Sequence, residues 1–182
     1  RISAVNYSNV LYHDPGIISC LNISKLDTKY LLVLINSKLL SWYNLMTSPK
    51  GNRTTFPKIL IGDIRKLPIL EISIENQKSF ILIADEILSL NNQLQSITNK
   101  FSTYFLGQFK LEKSNTKLEQ WYDLDFSEFI KKINKSIKVT KGLPLTKKDE
   151  FDWIDIFEEN KQKALELKSK ITALQNLLKQ KH

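Results

Sequence analysis

The chain has 182 residues, with 27 Lys and Arg against 19 Asp and Glu, a formal net charge of +8 and 42% hydrophobic residues. That is enough for one ordinary domain, or a domain with a helical appendage, and the excess of cations favours polyanionic partners, nucleic acid foremost. One cysteine (Cys20) and two histidines (His13, His182) exclude an internal disulfide and the usual zinc ligand set, and no apolar run approaches the roughly 20 residues of a membrane span.

Residues 1 to 24 read as short strands: Val5-Asn6-Tyr7, Asn9 to Tyr12, and Ile17 to Ile23. Asp14-Pro15-Gly16 supplies a side-chain acceptor, a fixed φ and a flexible residue, so a turn is expected there. Tyr7, Tyr12 and His13 are either edge aromatics of a small sheet or neighbours of a nucleic-acid groove. Asp27 is a suitable N-cap for a helix reaching about Met46, with apolar residues around most of its circumference and a wet break at Asn36-Ser37-Lys38.

Pro49 and Gly51 end that helix and open a polar loop. Lys50, Asn52, Arg53, Thr54 and Thr55 provide two cations, an amide and two hydroxyls within six residues. These groups suit phosphate contacts and base-edge reading, although ordinary solvated loops share this composition. Lys58 to Ile61 reads as a strand, Gly62 to Leu67 as one helical turn halted by Pro68, and Leu70 to Ile74 as a further alternating strand. Lys58, Arg65 and Lys66 are additional candidate phosphate ligands. The expected fold is therefore α+β: a small mixed sheet with a packed helix over residues 1 to 74, followed by a helical region over 75 to 182.

From about residue 75 to 110 the pattern changes. Phe80, Ile87, Leu94 and Phe101 are seven apart, as are Ile83, Leu90, Ile97 and Tyr104, which predicts one long helix seeking a helical partner. Thr146 and Asp149 resemble an N-terminal cap before a second long helix to about 181. Its stripe runs Trp153, Phe157, Asn160, Ala164, Leu167, Ile171, Leu174, Leu178, and the two helices are expected to pair antiparallel, coiled-coil fashion. Between them Asp125 caps a short helix with Phe126, Phe129, Ile130 and Ile133 on one face. Lys131, Lys132, Lys135 and Lys138 fill the other, a dense set of candidate phosphate ligands or simply a solvated face.

Signs of catalysis are missing. The five glycines form no dinucleotide or phosphate-binding loop, and no Pro-Pro pair supplies the tetrapeptide of amino-methyltransferases. Glu159-x-Lys161 and Glu166-x-Lys168 echo a nuclease signature without its Pro-Asp and fall on a helix, where Glu and Lys are expected anyway. No catalytic residue, metal or cofactor is assigned. Low cysteine usage fits a reducing, cytoplasmic compartment. The start at Arg1, the absence of a signal peptide and the Lys-Gln-Lys-His ending lead to the expectation of a piece from a longer protein.

Several blocks resemble a known family. Tyr30 to Leu40 with its Ile-Asn-Ser-Lys, then Phe56-Pro57-Lys58-Ile59, then Leu67-Pro68-Ile69, are similar to the TaqI-like C-terminal specificity domain. Gln77 to Ile81 and the long helix resemble the spacer of type I specificity subunits; Trp121 to Phe129 and Asp152 to Phe157 resemble the tails of fused restriction-methylation enzymes. The resemblance spans most of residues 27 to 175. It implies a target-recognition module for double-stranded DNA, serving an adenine methyltransferase or fused type IIG enzyme. It also implies that the methyltransferase domain, with its S-adenosylmethionine, precedes this segment in the parent chain. The alternative is a helical protein-protein interaction or scaffold module whose basic surface is incidental.

Overall fold

The computed structural model describes residues 2–6, 12, 14, 16–22, 24–48, 59–111, 118–140 and 142–180. In order come α1 (Thr28–Ile35), α2 (Lys38–Thr47), α3 (Ile61–Arg65), α4 (Ile74–Gln108), a 3₁₀ turn (Trp121–Asp123), α5 (Phe126–Val139) and α6 (Lys147–Gln180). The described residues contain no strand, so the expected α+β architecture with a mixed sheet is wrong: the fold they form is helical.

The hydrogen bonds explain the error. A strand must satisfy its backbone groups on a neighbouring strand, but here side chains do so. Asn36 accepts from Ala4 N at 3.0 Å and donates to Ala4 O at 3.0 Å, while Ser41 Oγ accepts from Ile2 N. Tyr30 Oη donates to Leu70 O, and Gln77 Nε2 to Ile72 O. Residues 17–22 are irregular, with Ile17 and Leu21 exposed. Residues 9–11 and 58 of the expected strands, and the expected loop at 50–55, fall outside the described residues; the rest of the strand expected over Lys58 to Ile61 is irregular at 59–60 and enters α3 at Ile61.

The single helix expected from Asp27 is two. Asn36 Nδ2 bonds back to Leu32 O, and Ser37 Oγ accepts from Leu40 N, capping α2. Short polar side chains compete with the helix ladder in this way, so the polar triplet is a true break.

The chain divides into two compact units, Arg1–Ile87 with Leu174–His182, and Leu88–Ala173. In the first, Ile2, Leu26, Tyr30, Leu34, Leu40 and Leu67 form the core, and Phe80 packs edge-on against Tyr30 at 5.5 Å. In the second, aromatic rings dominate. Phe101, Trp121, Phe129 and Phe157 are nearly or fully buried, and Phe129 stacks on Phe157 at 4.7 Å. Phe109 meets Trp153 at 4.6 Å whereas Phe101 reaches Phe157 at 6.4 Å, so in this unit α4 and α6 run antiparallel. The stripes supply buried side chains here, Leu90 and Phe101 on α4 and Trp153, Phe157, Ala164 and Ile171 on α6, with Leu94 and Ile97 half-buried and Tyr104, 45% exposed, at the margin; Ile83 is buried in the first unit.

Candidate nucleic-acid interface

The best-defined basic surface is on α5. Asp125 starts this helix by accepting from Glu128 N at 2.7 Å. Phe129, Ile130, Ile133 and Ile137 recur at helical spacing and are buried in the aromatic core. That pattern leaves Lys131, Lys135 and Lys138 on the opposite side, all exposed, with Lys132 half-buried at its edge. Between Lys131 and Lys138 the helix rises about 10 Å. Glu128, Lys131, Lys132 and Lys135 line a shallow depression of about 260 Å³.

Among the described residues none of these four lysines is in an ion pair. Some other cations are engaged: Lys168 reaches Asp123 at 2.6 Å and lies 5.4 Å from the Tyr122 ring centroid, and Lys147 reaches Glu150 at 2.6 Å; Arg65, Lys66, Lys100 and Lys148, like the α5 lysines, are in no ion pair among the described residues. The α5 lysines therefore form a row of cations without ion pairs among the described residues, on a helix whose orientation is set by its buried face. Phosphate is the anion that such a row of cations suits, because it needs charge and spacing but no shaped pocket.

The remaining expected residues are dispersed. Arg65 is the last residue of α3 and Lys66 its C-cap; both are exposed and both belong to the first unit. Lys50, Asn52, Arg53, Thr54, Thr55 and Lys58 lie outside the described residues. Within its unit, α5 alone brings four expected residues together.

Residues 73–181 match a family described as Domain of unknown function (DUF8810). The chain belongs to that family. The match runs from the residue before α4 to the end of α6, so the family region includes the whole of α5 and its lysine face. Neither a curated protein nor a solved structure matches the chain.

Two surfaces escaped the sequence reading. α2 leaves Leu39, Trp42 and Met46 exposed at spacings of three and four. α6 turns Phe151, Asp152, Asp155 and Glu158 to solvent, a face overlooked because the stripe through Trp153 and Phe157 drew the reading to the buried side. The same helical periodicity, applied to charge rather than hydrophobicity, marks the α6 face; on α2, apolar residues around most of the circumference implied burial, which Leu39, Trp42 and Met46 do not have. No group of His, Cys, Asp and Glu suited to a metal ion occurs among the described residues, and no described helix is long and apolar enough to cross a membrane.

Proposed function

We propose that this chain binds double-stranded DNA, as the recognition part of a restriction-modification adenine methyltransferase or fused endonuclease. The supporting observation is the α5 face: four lysines without ion pairs among the described residues, on a helix anchored by four buried apolar side chains. Cations held this way contact phosphates and set the register of the protein on the duplex. Arg65 and Lys66 are further phosphate ligands on this reading. Base reading is assigned to Lys50, Asn52, Arg53, Thr54 and Thr55, with Lys58 on the backbone; that assignment rests on residue type and on the family resemblance. So do the methyltransferase partner domain and its S-adenosylmethionine, and the chain itself is given no catalytic step.

The reading is tested by titrating the purified chain into a labelled duplex at two salt concentrations. Binding at low salt that weakens steeply as salt rises is expected. No binding at low salt overturns it. The rival, an interaction module, has its own support in the exposed Leu39, Trp42 and Met46 of α2. It is favoured if duplex binding is absent while Trp42→Ala removes association with a protein partner.

A further inference from the structure

The solvent faces of α5 and α6, both within the second unit, are complementary. α5 carries Lys131, Lys132, Lys135 and Lys138, ending in Val139, which is 78% exposed. α6 carries Asp152, Asp155, Glu158 and Glu159, preceded by Phe151, which is 77% exposed. Neither apolar side chain has a place in the core. Laid antiparallel with Val139 opposite Phe151, the two sequences bring Lys138 to Asp152, Lys135 to Asp155, Lys132 to Glu158 and Lys131 to Glu159. Every charge in the run meets its opposite, and the apolar pair closes one end.

The two faces do not satisfy each other within one chain. Phe157 of α6 stacks on Phe129 of α5, so these helices meet through their buried sides, and the charged sides point away from that contact. Among the described residues Asp152, Asp155 and Glu158 have no ion pair, and neither do the four lysines; Glu159 alone is engaged, by Lys163 at 2.6 Å. We propose that a second copy of this chain is the partner, with the lysine face of α5 in one copy docked antiparallel on the carboxylate face of α6 in the other. Exposed ion pairs are individually weak, so the association is weak, fast and salt-sensitive, and the Val139–Phe151 contact sets its register. The inference stands apart from the DNA reading, in which the acidic face has no part, although both draw on the same lysines.

Sedimentation equilibrium of the full chain, without DNA, tests it. Self-association is expected at low salt and should weaken at least about tenfold at roughly 0.5 M salt, where the screening length is a few ångströms. Two charge-reversed variants are compared: Lys132→Glu/Lys135→Glu/Lys138→Glu, and Asp152→Lys/Asp155→Lys/Glu158→Lys. Each alone should be monomeric, and an equimolar mixture should associate again. The milder Asp152→Asn/Asp155→Asn/Glu158→Gln variant, which preserves shape, should also lose self-association. A wild-type chain monomeric at low salt, a reversed or neutralised variant that associates like wild type, or a mixture of folded variants that stays monomeric overturns the proposal. Failure of DNA binding leaves this result untouched, and the reverse holds.

Discussion

The side chain of Gln77, 1% exposed, bridges two backbone groups fifty and five residues away: its Oε1 accepts from Asp27 N at 2.8 Å and its Nε2 donates to Ile72 O at 2.9 Å. One amide thereby ties the N-cap of α1 to the approach to α4. Gln77→Leu keeps the volume but strands both backbone partners, and an unmade bond of this kind costs about 1–3 kcal/mol. Urea unfolding should show a loss in that range. Glu at this position retains the acceptor for Asp27 but loses the donor to Ile72, so Gln77→Glu should also destabilise.

How far these features were legible differs by kind. The long helices were, because Ile83, Leu90 and Phe101, and Trp153, Phe157, Ala164 and Ile171, recur at a period that only a helix places on one side. Their caps were too: Asp27, Asp125 and Thr146 each make the expected bond at a helix start. Backbone partners were not. Alternating Leu70, Ile72 and Ile74 looks the same whether its carbonyls meet a neighbouring strand or, as here, Tyr30 and Gln77. The α5 lysines stood out because their spacing complements a visible apolar face, whereas the carboxylates of α6 lay interleaved with the hydrophobic ladder. The second point matters for function, since charge patterns on a long helix disappear when only its apolar stripe is followed.

The end of α4 holds an avoidable cost. Leu111 N bonds to Leu106 O at 2.9 Å and Lys110 N to Gly107 O at 3.3 Å, the paired bonds of a Schellman ending, and Lys110 sits in the left-handed region with φ 50°. A side chain there is disfavoured by roughly 1 kcal/mol relative to glycine. Lys110→Gly should therefore stabilise the chain by up to about that amount, read as a higher urea midpoint. The same substitution at a mid-helix position such as Lys100 should destabilise, because there glycine only loosens the unfolded chain.

The start of α6 supplies a pH dependence of known sign. The Thr146 hydroxyl, and then its backbone N–H, donate to the Asp149 carboxylate at 2.7 and 2.8 Å and hold its pKa below the ordinary value. A carboxylate depressed on folding stabilises the native state above its unfolded pKa. That contribution is lost as pH falls through the lowered folded value. Glu159, lowered mainly by its bond to Lys163, acts in the same direction. Unfolding midpoints followed from neutral pH into the acid range should fall for wild type, and fall less for Asp149→Asn, which has no proton to take up. A variant with an unchanged acid slope refutes the role of this cap.

On the DNA reading the α5 lysines act additively and without regard to sequence. Each neutralised phosphate contributes about 0.9 to the slope of log affinity against log salt. Lys131→Ala, Lys135→Ala and Lys138→Ala should each flatten that slope by about one and weaken matched and scrambled duplexes equally. Because these side chains point away from the core, the unfolding midpoint should hardly change. Arg53→Ala should differ: if it reads a base edge, the loss concentrates on one base pair of the preferred duplex. Lys132, half-buried at the edge of the face, is the informative intermediate. Its stem packs as well as its charge, so Lys132→Ala should flatten the slope and also cost stability, whereas Lys132→Met should flatten the slope alone. A slope unchanged by all four substitutions would remove α5 from the interface even if the chain binds DNA.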